Sequence, residues 1–387
     1  MKLYDTRTKS YRQYVPQATV GMYVCGITPY AAAHLGHAFT FLTYDLLQRR
    51  LEDMGSAVHM VRNITDVDEP LYAKADELEL HYTDLAENEI ALFHKAMCAL
   101  NMRVDTSQPR ASEFIAEMAE AVQRLLDSGV GYRLDKDVYF DTTKVDEYGS
   151  FFGYKLDLAI AIDRLRGGNP DLKAKRNKQD FLLWKSVDDS DDPAQWDSPV
   201  GRGRPGWHIE CSVMSRHLLG DTFDIHGGGT DLVYPHHEAE IAQSKALHGH
   251  NPADFWVHTS PILLAGEKMS KSLGNLIFVS DLLREHPMPV VRLALMHYHH
   301  RIGGEWAEQL LHEATELWKK LSAASGRRSV AAVETLLRET RAALDDDINT
   351  LEVIDALHRF ADAPAVVATD SSAQLDKVWR LLGLKAI

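Results

Sequence analysis

The chain predicts an α/β fold: a doubly wound parallel sheet of Rossmann type, broken by an insertion and followed by an all-helical carboxyl-terminal bundle. Three observations carry this. Apolar runs at 20–27 (VGMYVCGI) and 57–64 (AVHMVRNI) flank a stretch after His37 whose apolar residues recur at helical spacing. A buried strand, a helix and a second buried strand in that order imply parallel pairing, with ligands at the carboxyl ends of the strands. Between about 131 and 203 the texture turns polar and broken (LRGGNPDL, DDSDDP), as an inserted segment would. After about Trp306 the chain reads as nearly all helix.

Taken in order, residues 82–102 and 112–127 carry apolar side chains at helical spacing. In the second they are Ile115, Met118, Val122 and Leu125, with Gly129 as the stop. Cys98 falls on an apolar face of the first and is expected in the core. Strand signals return at Phe223-Asp224-Ile225 and around Trp256-Val257-His258. The expected division is 1–115 and 204–262 for two halves of one catalytic sheet, 116–203 for the insertion, 263–305 for a loop-bearing connection and 306–387 for the helical bundle.

Composition narrows the classes. A chain of 387 residues with 45% hydrophobic content is large enough for two or three packed units. No stretch approaches the roughly 20 apolar residues of a membrane span, and the amino terminus MKLYDTR lacks the apolar core of a signal peptide, so a cytoplasmic protein without membrane partners is expected. Three scattered cysteines, Cys25, Cys98 and Cys211, argue for reduced thiols and against a disulfide framework. A formal charge of −14 opposes extensive nucleic-acid binding, although a local patch such as Lys173, Lys175, Arg176 and Lys178 can sit on an acidic protein.

Several constellations bear chemistry. His34 and His37 flank Leu35-Gly36 beyond the first strand, where a glycine lets backbone approach a phosphate and an imidazole can donate to its oxygens. The late loop Gly266-Glu267-Lys268-Met269-Ser270-Lys271-Ser272 presents two lysines on small residues; alone, these are as well read as solvated charges. Asp224-Ile225-His226-Gly227-Gly228-Gly229-Thr230-Asp231 suits close backbone approach to an adenosine, or a glycine turn with structural duty only. Cys25, Cys211, His236 and Glu240 have the donor types of a zinc set, the last two one helical turn apart, yet on residue types alone buried structural cysteines are the simpler reading.

The motifs YVCGIT, HLGH, RNITDVD, RPGWHIECS, IHGGGTDL, PHHEAEIAQS and KMSKSLGN together resemble the cysteinyl-tRNA synthetase branch of class I aminoacyl-tRNA synthetases, covering nearly the whole chain to about Asn275. The resemblance implies a class I synthetase fold, and attack of an amino-acid carboxylate on the α-phosphorus of ATP, with Mg²⁺ accompanying the nucleotide. It implies that His34, His37, Lys268 and Lys271 are catalytic, and that Thr28, Gly36, Gly227, Gly228, Gly229, Asp231 and Ser270 complete the nucleotide site. It implies that Cys25, Cys211, His236 and Glu240 hold Zn²⁺, which binds the thiol of substrate cysteine, and that Gly26, Thr65, Trp207 and Asp231 border that substrate. A soft thiolate ligates zinc far better than a serine hydroxyl, so the metal itself would provide the selectivity.

Two acceptors fit the activated cysteine. The tRNA-charging members continue past the bundle into an anticodon-reading unit, whereas this sequence stops at LLGLKAI, as does the related ligase of the mycothiol pathway that joins L-cysteine to the amine of glucosaminyl-inositol. Thr28-Pro29-Tyr30, His34 to Ala38 and Thr65 to Leu71 are worded more like that ligase, while Glu240 restores the zinc set of the tRNA enzymes. The expectation is a cysteine ligase acting on a small amine. The alternative is a cysteinyl-tRNA synthetase truncated of its anticodon domain, with tRNA as partner, and a third reading is a pseudo-enzyme that senses zinc or nucleotide.

Overall fold

The computed structural model describes residues 1–103, 107–188, 192–269, 274–366 and 372–385. A short hairpin, β1 (Lys2–Asp5) and β2 (Ser10–Gln13), leads into β3 (Thr19–Ile27), α1 (Leu35–Asp53) and β4 (Ala57–Ile64). Then come α2 (Glu69–Glu77), α3 (Tyr82–Ala99) and α4 (Ile115–Asp127). The next segment holds β5 (Gly131–Leu134), β6 (Asp137–Phe140), α5 (Leu156–Leu165), β7 (Phe181–Ser186) and β8 (Gly203–Pro205). The catalytic-type alternation resumes with α6 (Trp207–Leu219), β9 (Phe223–Gly229), α7 (Glu238–His248) and β10 (Ala253–Thr259). Two-to-three-residue strands β11 (Ile262–Leu264), β12 (Glu267–Lys268) and β13 (Gly304–Glu305) surround α8 (Val279–Glu285) and α9 (Met288–Leu295). The bundle is α10 (Gln309–Ala324), α11 (Val330–Asp345), α12 (Thr350–Asp362) and α13 (Ser372–Leu382).

The central sheet runs β10-β9-β3-β4, and every pairing in it is parallel. From the middle, β3 leads outward to β4 and β9 leads outward the other way to β10. The carboxyl ends of β3 and β9 therefore form the switch point where such sheets bind ligands. Their interiors (Met22, Tyr23, Val24; Ile225, His226) are buried on both faces, as helices above and below require. The β3–β4 register slips between Val24 and Ile27. Gly26 lies inside that slip, and a Cβ there would stand 1.7 Å from the Asn63 carbonyl oxygen, so only glycine lets the two chains pass.

Two sequence expectations are corrected by packing. The segment 131–203 contains a four-stranded antiparallel sheet, β5-β6-β7-β8, rather than an irregular stretch. Its strands are three to six residues long, too short to show a clear period in a sequence flanked by glycine and aspartate. Cys98 is exposed, not core. On α3 the buried stripe is Ile90, Phe93 and Met97, and Cys98 sits one residue, about 100°, beyond it. The basic patch is largely tied down: Arg176 pairs with Asp141 and lies over Tyr132, and Lys175 lies over Tyr139. No helix among the described residues is long and apolar enough to cross a membrane.

The bundle shares one apolar cluster with the sheet, continuous from Leu3 and Val20 to Leu384. At the seam, buried Asp45 of α1 accepts from Arg49 at 2.9 Å and Arg292 at 2.6 Å, and its other oxygen accepts the Arg103 amide. Arg292 also donates to the carbonyls of Leu100 and Leu382, so a wholly buried charge set is fully paired. Burial works to raise the Asp45 carboxyl, but Arg292 and Arg49 outweigh it and hold it below its usual range. Asp45→Ala leaves two guanidinium groups without their counter-charge and is expected to cost about 3–5 kcal/mol, read as a lower chemical-denaturation midpoint; an unchanged midpoint contradicts the role given to the cluster.

Candidate functional site

A cavity of about 820 Å³ opens at the switch point. Its amino-terminal wall comes from β3 and the start of α1. The β3 slip turns Cys25 toward the interior, and the Gly26 amide donates to Asn63 Oδ1 at 2.9 Å. His34 caps α1, its Nδ1 accepting from the Gly36 amide at 3.1 Å, and its ring stacks on His37 with centroids 3.9 Å apart. Two imidazoles are thus presented at the positive end of a 19-residue helix, a favourable place for an anion. Thr28 and Thr65 line the same wall.

The opposite wall is built by α6, the end of β9 and the segment before α7. Cys211, Trp207, Gly229, Asp231 and His236 line it, and Lys268 closes one side. Asp231 Oδ2 accepts from Lys268 Nζ at 2.6 Å and from Arg166, just past α5, at 2.9 Å. Burial works to raise the Asp231 carboxyl, but these two cations prevail and bring it down to about 2. One carboxylate on the core sheet thereby holds both the inserted segment and the late loop against the cavity mouth.

Beneath the cavity lies a buried donor cluster. Cys25 Sγ is 3.9 Å from Cys211 Sγ and 3.9 Å from Glu240 Oε1, while His236 Nε2 is 3.2 Å from that same oxygen. Donors around a tetrahedral zinc stand about 3.3–3.8 Å apart, so the four fit a single metal ion. The surroundings agree. Burial, Cys211 and Glu240 push the Cys25 thiol well above its usual range, and burial with neighbouring imidazoles holds His236 far below its own. Neutral imidazole and crowded would-be anions are the electrostatic complement of a divalent cation.

Reasoning from sequence missed part of this cluster. His226 Nε2 meets Glu240 Oε2 at 2.9 Å, and His237 Nε2 lies 3.3 Å from Cys25 Sγ, so Cys25, His226, His237 and Glu240 form a second compatible donor set. His237 Nδ1 in turn meets His258, and His208 Nδ1 meets His236. Burial drives His208 and His258 down to about 3. The signal was present in Pro235-His236-His237, but a single helical face admits only one of the pair. Both rings turn inward because the chain from Val233 to His237 is kinked, with Tyr234 extended at φ −138° and ψ 136°, and is not a regular helix.

Of the three glycines expected beside the nucleotide, Gly229 lines the cavity, and Gly227 and Gly228 stand deeper in the strand. Both lie within β9, and a Cβ on Gly227 would meet the Tyr44 ring at 2.4 Å. The close approach that demands glycine there is made by Tyr44, and Gly229 alone of the three faces the cavity. Ser270 and Lys271 lie outside the described residues.

Residues 12–316 match the family model described as tRNA synthetases class I (C) catalytic domain. Curated relatives named L-cysteine:1D-myo-inositol 2-amino-2-deoxy-alpha-D-glucopyranoside ligase are similar over nearly full length. The one from Nocardiopsis dassonvillei is 40% identical over 94% of this chain and 89% of its own. That from Nakamurella multipartita is 41% identical over 100% and 96%. Among solved structures, Mycobacterium tuberculosis methionyl-tRNA synthetase in complex with methionyl-adenylate superposes with a TM-score of 0.60 at 16% identity, over 95% of this chain and 82% of that one. Agrobacterium radiobacter leucyl-tRNA synthetase gives 0.61 at 10%, over 95% and 83%. At such identities these two attest the fold alone.

The Asp231 tie gives a direct test. Asp231→Asn removes the charge that Lys268 and Arg166 share, and Lys268 is expected to be acetylated several-fold faster in the variant, followed by peptide mass mapping at fixed pH. An unchanged rate contradicts the tie.

Proposed function

Because the chain belongs to the family of class I (C) tRNA synthetase catalytic domains, we propose that it is an ATP-dependent ligase that activates L-cysteine as cysteinyl adenylate and passes it to the amine of a glucosaminyl-inositol. The observation that carries this is the meeting, in one cavity at the switch point, of stacked His34 and His37, Lys268 and the Cys25–Cys211 cluster. The relatives' printed substrates, a cysteine and an amino sugar on inositol, support the acceptor.

In this reading the residues divide the work by charge. His34 and His37, at the head of α1, donate to the α-phosphoryl oxygens as the carboxylate of cysteine attacks, where positioning and charge neutralisation lower the barrier most. Lys268 leaves Asp231 for the β- and γ-phosphates of Mg²⁺-ATP, with Lys271 beside it. Asp231, once released, is an anion for the ammonium of cysteine, together with Thr65; Trp207, whose ring stacks on His236 at 4.4 Å, closes the small pocket. Cys25, Cys211, His236 and Glu240 would hold a zinc ion, which when bound would supply a Lewis acid for the thiolate of the substrate. Since a serine hydroxyl is a far poorer partner, the chain has no need of an editing unit.

A second reading, a cysteinyl-tRNA synthetase, is favoured by one observation. Glu240 stands within the cluster and completes the four-donor set of the tRNA-charging members.

Purified protein with ATP, Mg²⁺ and labelled cysteine separates the two. Label is expected in a small amide product when glucosaminyl-inositol is offered; acid-precipitable label with bulk tRNA alone would move the assignment to the second reading. For the metal, Cys211→Ala is expected to lose bound zinc by elemental analysis and cysteine-dependent pyrophosphate exchange together. Exchange persisting in zinc-free protein would overturn the thiolate account.

A further inference from the structure

Of five carboxylates at or beside the cavity, three are already committed, and Glu210, fully buried with neither oxygen hydrogen-bonded, is pushed well above its usual range by burial, which favours its neutral form. Asp231 holds Lys268 and Arg166, Glu240 lies between His226 and His236, and both oxygens of Asp66 are taken by Ser112. Asp68 differs. It occupies the N-cap of α2, where an aspartate ordinarily bonds the helix's own first turn and stabilises by about 1 kcal/mol, yet its side chain makes no capping bond. Its Oδ2 instead accepts from Thr28 Oγ1 at 3.0 Å, and Thr28, like Tyr30 and Thr65, lines the cavity. No ion pair reaches it among the described residues. Arg204 on the neighbouring β8 is engaged by Glu69 and Asp192.

The charges facing it are chiefly acidic: Glu69 on its own helix and buried Glu210 on α6, with the Tyr30 phenol nearby. Burial pushes the Asp68 carboxyl up to about 6, against the opposing pull of the Thr28 hydroxyl and the Glu69 amide. An anion without a cation, one side chain from the cavity, is matched by what the cavity must receive, since an alkylamine acceptor arrives as ammonium and attacks only when neutral.

Resting on the amide-forming reading above, we propose that Asp68 receives the acceptor's ammonium and takes from it the proton it must lose before attack. The proton passes from nitrogen to an Asp68 oxygen, and the freed lone pair forms the C–N bond to the carbonyl carbon of cysteinyl adenylate. The carbon–oxygen bond to phosphate breaks with its electron pair going to AMP, and the second N–H proton leaves with the AMP phosphate. No other co-reactant is needed. Because the base works deprotonated, transfer rises as pH climbs through about 6.

The test follows single-turnover transfer from enzyme-bound cysteinyl adenylate to glucosaminyl-inositol and to hydroxylamine, an amine already neutral near pH 7. Asp68→Asn is expected to slow transfer to glucosaminyl-inositol by roughly 10² or more, as loss of a positioned base does, to flatten the acidic limb of the pH profile, and to affect hydroxylamine far less. Asp68→Glu should recover part of the rate. Equal slowing with both amines, or none with glucosaminyl-inositol, overturns the proposal. Wild-type protein that charges hydroxylamine but never glucosaminyl-inositol overturns the acceptor assignment itself, and this proposal with it.

Discussion

The site depends first on Tyr44, a buried phenol on α1 that locks into the carboxyl ends of two strands. Its hydroxyl accepts the Gly228 amide at 2.6 Å and lies 2.8 Å from the Val257 carbonyl and 3.0 Å from that of Gly228. Its ring fills the space a Gly227 side chain would need. One side chain therefore sets the height of α1 against β9 and β10 together. The head of α1 carries His34 and His37, and the end of β9 carries His226 and leads to Asp231. Were the helix to slide by one turn, about 5.4 Å, the imidazoles would no longer share a cavity with the thiols. Burial holds the hydroxyl well above its ordinary titration range against the opposing pull of the Gly228 amide, so the lock has no ionised state near neutrality.

Below that lock, five histidines (His208, His226, His236, His237 and His258) occupy a space with almost no solvent. Burial, helped by neighbouring imidazoles, presses His208, His236, His237 and His258 toward the neutral form. Glu240 answers two at once, one through each oxygen. A set of unprotonated nitrogens, two thiols and one carboxylate is costly to bury empty, and a divalent cation removes that cost. The same arrangement explains why the neighbouring rings stack: Trp207 on His236 and Trp256 on His226 cover the donors with apolar surface and keep water from competing.

How far the sequence could be read varies with the physics of each element. Strands buried on both faces leave continuous apolar runs, and 57–64 was legible to the residue, as was the helical texture after Trp306. The short antiparallel strands of the insertion left no such trace, and the phase of α3 placed Cys98 outside when an apolar neighbourhood in sequence suggested inside. The residue types of the donor set were visible as Cys25, Cys211, His236 and Glu240. Their meeting was implied only by resemblance, because strands brought together by crossovers leave no local spacing. Tyr44 and Asp68 carried no signal at all, since neither a tyrosine within a helical run nor an aspartate in an acidic turn ahead of a helix is unusual.

The sequence by itself therefore determined the doubly wound core, the terminal helices and the chemistry on offer, because periodicity and residue type are local properties. The tertiary structure alone decided which of those residues meet. It turned His237 in beside His236 through a kink at Tyr234, gave Gly227 to Tyr44, and paired Lys268 and Arg166 on one carboxylate. It also left Asp68 behind Thr28, one side chain from the cavity, with no ion pair among the described residues. Such choices depend on distances between segments 37 to 184 residues apart in the chain, which only the packed sheet and its helices can set.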